Sequence, residues 1–133
     1  MGEYMKKLLL LLLLSTTSYA DVFDIKITQE NFYCKPAKKC NIYMDFDILI
    51  VNETAKFEHY NLGYDLELAV PFSSYGSNDK IDIPPRGSYK KHYHLNWPEF
   101  GLKDSASYLL KSNVIIEGQP QVNKTTTTTI WVY

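Results

Sequence analysis

The sequence predicts an all-β protein, built as two antiparallel sheets packed face to face with about seven strands. Three observations carry that prediction. Apolar side chains recur at every second position through most of residues 22–133, the mark of strands with one flank in a core and one in water. Turn-forming clusters such as Pro84-Pro85-Arg86-Gly87 and Gly118-Gln119-Pro120 separate these runs at short intervals. No run beyond residue 20 shows a three-to-four spacing long enough for a helix of more than a turn or two.

The alternation begins only after a leader. Lys6 and Lys7 precede seven leucines, Leu8 to Leu14, and a polar stretch ends at Ser18-Tyr19-Ala20. A basic start, a short apolar run and a small-x-small site read as a secretory signal peptide cleaved after Ala20, because a membrane span needs about 20 apolar residues. Removing residues 1–20 takes away Lys6, Lys7 and Glu3, so the formal charge moves from −1 to −2. A near-neutral chain with both signs interspersed argues against nucleic acid, whose binding rests on clustered positive charge. The remaining residues, 21–133, suit a single domain with one core. They hold no second apolar run of spanning length, so the mature chain is expected in the periplasm or outside the cell. The sequons at Asn52 and Asn123 have meaning only in a eukaryotic secretory route, whereas the leader has a bacterial look.

Each run can be placed in order. Val22 to Thr28 alternates loosely. Asn41 to Val51 alternates cleanly, with Ile42, Met44, Phe46, Ile48 and Ile50 on one flank. Leu62, Tyr64, Leu66, Leu68 and Val70 repeat the pattern until Pro71, which has no N–H for a ladder. Residues 73–80, rich in Ser, Gly, Asn and Asp, are expected as a loop, and Ile81 with Ile83 as a short strand. Tyr89 to Trp97 is a strand stopped by Pro98. Glu99 to Ser105 is expected as a loop or a single helical turn. Ser107 to Glu117 places Tyr108, Leu110, Val114 and Ile116 inward. The last run, Val122 to Tyr133, contains Thr125 to Thr129 and closes on Ile130-Trp131-Val132-Tyr133. Threonine and aromatic residues favour extended chain, so it reads as a strand. About seven short strands in this length suit an immunoglobulin-like sandwich, with a partly closed barrel as the alternative. In that arrangement 41–51 pairs with 89–97, and 61–70 with 107–117.

Ile83-Pro84-Pro85-Arg86-Gly87-Ser88-Tyr89, an aromatic strand ending at Trp97, and then Tyr108-Leu109-Leu110-Lys111 resemble the second half of bacterial cell-adhesion-type Ig-like domains. The resemblance covers residues 81–117 and implies the fold but no activity.

The cysteines, Cys34 and Cys40, form an even pair in an exported chain and read as a small-loop disulfide. Closing so short a loop contributes about 2 kcal/mol. His92 and His94, two apart, share a solvent-facing flank with Lys90 and Asn96, opposite Asp45 and Asp47. Cross-strand charge pairing is a sufficient structural reason for that composition. The functional alternative is a zinc or copper site made of His92, His94, Asp45 and Asp47; His59 falls in an expected loop after Glu58, and its reach to that site is left open by the sequence. No nucleophile–base constellation or metalloprotease motif is spelled out. The carboxylate pairs lie on outward flanks that cannot raise a pKa. Hence no enzyme activity and no cofactor are expected.

Several aromatic residues fall off the inward register: Tyr43, Trp131 and Tyr133, with Tyr60 and Tyr75 in expected loops. Exposed Tyr and Trp bury much area at little entropic cost, which makes these five the candidate contacts for a protein or cell-surface partner. Thr127 to Tyr133 could serve as an edge strand that accepts a partner strand. A third reading is a small lipid carrier. Cys34 to Cys40 ahead of a long strand, and Val70-Pro71-Phe72, resemble MD-2-related lipid-recognition domains, whose two sheets splay around an acyl chain.

Overall fold

Alternation in the sequence becomes alternation in burial. The computed structural model describes residues 22–35, 38, 40–68, 73–97, 107–118 and 121–133. Its eight strands are β1 (Val22–Thr28), β2 (Phe32–Cys34), β3 (Ile42–Val51), β4 (Glu58–Leu68), β5 (Ser73–Ile83), β6 (Ser88–Trp97), β7 (Ser107–Glu117) and β8 (Val122–Val132), with no helix among the described residues. The leader and its cleavage point, the stretch 69–72 with Pro71, and the segment 99–105 lie outside the described residues.

One sheet has the order β1-β3-β6 and the other β2-β8-β7-β4-β5. All pairings are antiparallel except β2 with β8. The chain crosses between sheets to pair β3 with β6 and β4 with β7, the non-sequential neighbours that define an immunoglobulin-like β-sandwich. The two expected pairings are both present.

Ile42, Met44, Phe46, Ile48 and Ile50 of β3 are all buried, facing Leu62, Leu66 and Leu68 of β4 and Leu110, Val114 and Ile116 of β7. Each such side chain stabilises the fold by about 1.5–3 kcal/mol through apolar burial. At the centre the Phe46 and Tyr93 rings stack at 4.9 Å, and Tyr64 tilts against both at 5.1 and 5.4 Å. Side chains therefore occupy the middle of the sandwich, the region a lipid carrier would leave open for an acyl chain.

Residues 73–80, expected as a loop, belong instead to the eleven-residue strand β5. It pairs with β4 residue by residue, from Leu68↔Ser73 to Glu58↔Ile83. The polar composition misleads because β5 is an edge strand. Only Ile81 and Ile83 lie deep in the core, and the rest carries the Ser, Gly, Asn, Asp and Lys residues that keep an exposed edge soluble. β4 likewise begins at Glu58, four residues before the alternation at Leu62. Tyr60 is therefore a strand residue and not a loop residue.

The turn Pro84-Pro85-Arg86-Gly87 closes with Gly87 N–H donating to Pro84 O at 2.9 Å. Arg86, not Gly87, takes the positive φ of 60° that a type II turn requires at its third position. Gly87 is needed for room, since an added Cβ would come within 2.9–3.1 Å of Pro84 atoms. Asn52 ties this turn to the β3–β4 loop. It is wholly buried. Its Nδ2 donates to Lys56 O, Ile83 O and Pro84 O, and its Oδ1 accepts from Thr54 N–H and Thr54 Oγ1–H.

Candidate functional site

The outer face of the β1-β3-β6 sheet brings the histidines and aspartates together as their spacing implies. Asp45 stands opposite His94 and Asp47 opposite His92. His92 Nδ1 lies 2.8 Å from Asp47 Oδ1, and its Nε2 lies 3.2 Å from Asp45 Oδ1. That same Asp45 oxygen lies 2.8 Å from His94 Nδ1. The hydrogen bond to Asp47 is the main cause that raises the His92 pKa above its ordinary 6.5, aided by Asp45 and opposed by desolvation. Both ring nitrogens of His92 thus have carboxylate partners, which suits an imidazolium between two anions. Among the described residues, no three His, Cys, Asp or Glu side chains are grouped so as to hold a metal ion. His59 is far from this row in the fold, on β4 of the other sheet, paired with Asp82 of β5.

The disulfide Cys34–Cys40 is present, with Cα atoms 5.5 Å apart. Cys34 is buried at the end of β2, and its carbonyl accepts from Tyr133 N–H at 3.0 Å. The bridge therefore anchors the short parallel strand that lies against the end of β8.

The five candidate contact aromatics divide. Tyr60 is 3% exposed and meets Phe23 edge-to-face at 5.4 Å, so it is a core residue and leaves the contact set. Its loop placement failed because β4 starts earlier than the apolar pattern shows. Tyr43 is half-buried, packed edge-to-face on Phe32 at 5.3 Å and against the His94 ring at 5.4 Å. Tyr75 stacks on Trp97 at 6.1 Å where β5 meets β6. Trp131 and Tyr133 are exposed, at 45% and 65%.

Trp131 and Tyr133 have neighbours outside that set. Tyr33 of β2 is in register with Trp131 and is 68% exposed. Leu109 of β7, opposite Thr129 and so diagonal to Trp131, is 56% exposed. These four side chains form an apolar, aromatic corner on the outer face of the larger sheet. The signal was readable: Phe32 and Cys34 point inward, so Tyr33 points out, and Leu109 sits between the inward Tyr108 and Leu110. The parallel pairing of β2 with β8, which joins Tyr33 to Trp131, has no such local signal.

Two contacts close the flanks of the sandwich. Where β6 meets β5, the Tyr93 hydroxyl donates to Asp79 Oδ2 at 2.8 Å and lies 2.7 Å from the Tyr89 hydroxyl. Burial, followed by these two bonds, pushes the Tyr93 phenol well above its ordinary value. Where β8 meets β1, Lys124 Nζ donates to Ile25 O at 2.7 Å.

No protein-family model matches the chain, and no curated protein sequence matches it. Among solved structures, it is similar to the CARDB domain of a Pyrococcus furiosus protein, solved with di-metal ions. The identity is 12% and the TM-score 0.44, covering 85% of this chain and 89% of that one. It is also similar to part of the Pseudomonas fluorescens alkylpurine DNA glycosylase AlkC, solved bound to DNA containing an abasic site analog. There the identity is 5% and the TM-score 0.45, covering 90% of this chain and 33% of that one. The immunoglobulin-like assignment stands on this chain's own strand order and register.

Proposed function

We propose that the chain is an exported, non-catalytic interaction module that holds a protein or surface component of the cell envelope through the corner made by Tyr33, Leu109, Trp131 and Tyr133. The carrying observation is that four large apolar side chains remain exposed side by side, whereas the other exposed large apolar residues among those described, Val22, Phe57 and Tyr75, are scattered over β1, the β3–β4 loop and β5. Contiguous exposed apolar surface of this kind marks interaction sites, and Tyr and Trp are the residues that dominate binding energy at such sites. The disulfide beside the corner supports an oxidising compartment, where such bonds persist. It also holds Tyr33 on a three-residue strand that would otherwise fray.

The test is capture after cross-linking in the native cell envelope. Wild type is expected to retain a partner that the Tyr33→Ser/Trp131→Ser variant loses, with the far-ultraviolet circular dichroism of the two proteins unchanged. Equal capture by both, or turnover by the wild type against a panel of hydrolase substrates, overturns the reading.

A further inference from the structure

The end of β8 is already taken up, which displaces the expected open edge. Residues Ile130 to Val132 pair with β2, and Thr129 N–H donates to Asn31 Oδ1 at 3.1 Å. The outer side of β8 from Val122 to Thr128 has no strand partner among the described residues. The bonds that exist define the direction of the free groups. Thr129 N–H and Tyr133 N–H both point away from β7, to Asn31 and Cys34. A strand residue sends its N–H and C=O to the same side, and the side alternates along the chain. The unbroken register with β7 therefore turns the backbone groups of Asn123, Thr125 and Thr127 outward.

We propose that this window binds the same window of a second copy of the chain, antiparallel and centred on Thr125, so that the two larger sheets join into one continuous sheet. Centring on Thr125 places Thr125 opposite Thr125 of the second copy, and Asn123 opposite its Thr127. Every outward group then meets an outward group, and three closely spaced pairs form about six hydrogen bonds. A strand read against itself about a two-fold axis is self-complementary, as a closed dimer requires. The window ends where β2 begins, so its length also matches itself.

Charge separates this window from the edges of β1, β5 and β6. β6 presents Lys90 and Lys91, β1 presents Asp24 and Lys26, and β5 presents Asp79, Lys80 and Asp82. Charged residues are how edges resist pairing. In the β8 window Lys124 is the one charged residue, and its ammonium is drawn aside to Ile25 O. Opposite it in the dimer stands Thr126. The threonine run supplies high strand propensity. This inference does not draw on the aromatic corner, which lies at the other end of β8.

Sedimentation equilibrium of the mature, oxidised protein is expected to show a concentration-dependent dimer. Thr125→Pro removes an N–H that points away from β7 and leaves the β7 ladder intact, as edge strands tolerate. It is expected to raise the dimer dissociation constant at least about tenfold while the circular dichroism spectrum is retained. Thr125→Lys and Thr125→Asp would each weaken self-association, since like charges would face each other across the axis, and mixing the two would restore a heterodimer. A wild type that stays monomeric from micromolar to millimolar concentration overturns the proposal. So does a Thr125→Pro protein that is folded and still dimeric, or a Lys/Asp mixture with no recovery. The Tyr33→Ser/Trp131→Ser variant is expected to keep the dimer mass, so failure of one reading leaves the other standing.

Discussion

Asp47 and His92 face each other across β3 and β6, with the aspartate Oδ1 2.8 Å from the ring Nδ1. The pairing favours the charged imidazolium and raises the His92 pKa above 6.5. A histidine whose folded value exceeds its unfolded value stabilises the fold fully below the unfolded pKa, and that contribution is lost as pH rises through the folded pKa. An NMR titration is expected to place the His92 midpoint above 6.5. Asp47→Asn should lower that midpoint more than Asp45→Asn, because the Asp47 bond is the largest cause. The stability gap between wild type and His92→Gln should be widest in mild acid and shrink toward alkaline pH.

Asn52 is expected to be among the polar residues most sensitive to substitution. Asn52→Ala would remove the buried amide that donates to Lys56 O, Ile83 O and Pro84 O and accepts from Thr54 N–H and Oγ1–H, at a cost of about 2–3 kcal/mol. Urea denaturation measures it. The same burial bears on the Asn52 sequon. Expressed through a eukaryotic secretory route, folded protein should carry no glycan at Asn52, as peptide mass mapping would show, whereas the Asn123 sequon lies on exposed β8.

Phe46→Ala should lower stability by about 3–5 kcal/mol, since it removes the ring stacked between the sheets against Tyr93 and Tyr64. Tyr93→Phe keeps that packing and loses the Asp79 and Tyr89 bonds at the flank. Its expected cost is about 1 kcal/mol. Thermal melts of both variants test the ranking.

In the β5–β6 turn, Gly87→Ala should destabilise more than Arg86→Gly. The alanine Cβ would press on Pro84. Glycine at 86 would instead relieve a left-handed residue by about 1 kcal/mol, offset by loss of the Arg86 bond to Glu53 O. Chemical denaturation of the two variants decides it.

Most of the strands could be read before any coordinates. β1, β3, β6, β7 and β8 lie within a residue or two of the apolar runs that announced them, because each puts one flank against the opposite sheet. The His92–Asp47 and His94–Asp45 rows were legible for the same reason, since the period of two puts them on one flank and the pairing of β3 with β6 sets them opposite. β5 was not legible, because an edge strand that is only partly covered has no apolar flank to display. Tyr60 was misplaced for another reason: β4 is an inner strand that begins at Glu58, ahead of the alternation that starts at Leu62.

Alternation, the cysteine pair and the mixed charge are local properties, and by themselves they determined β1, β3, β6, β7 and β8, the two-sheet packing and the outward direction of Leu109, Trp131 and the histidine row, but not the short strand β2 that turns Tyr33 outward. Only the tertiary structure decided which outward residues become neighbours. The parallel contact of β2 with β8 assembles the aromatic corner and seals the end of β8, and it leaves Asn123, Thr125 and Thr127 with open backbone groups. The physical reason is that a side chain's flank follows from the pleat of its own strand, whereas its neighbour across the sheet follows from pairing between segments far apart in the chain.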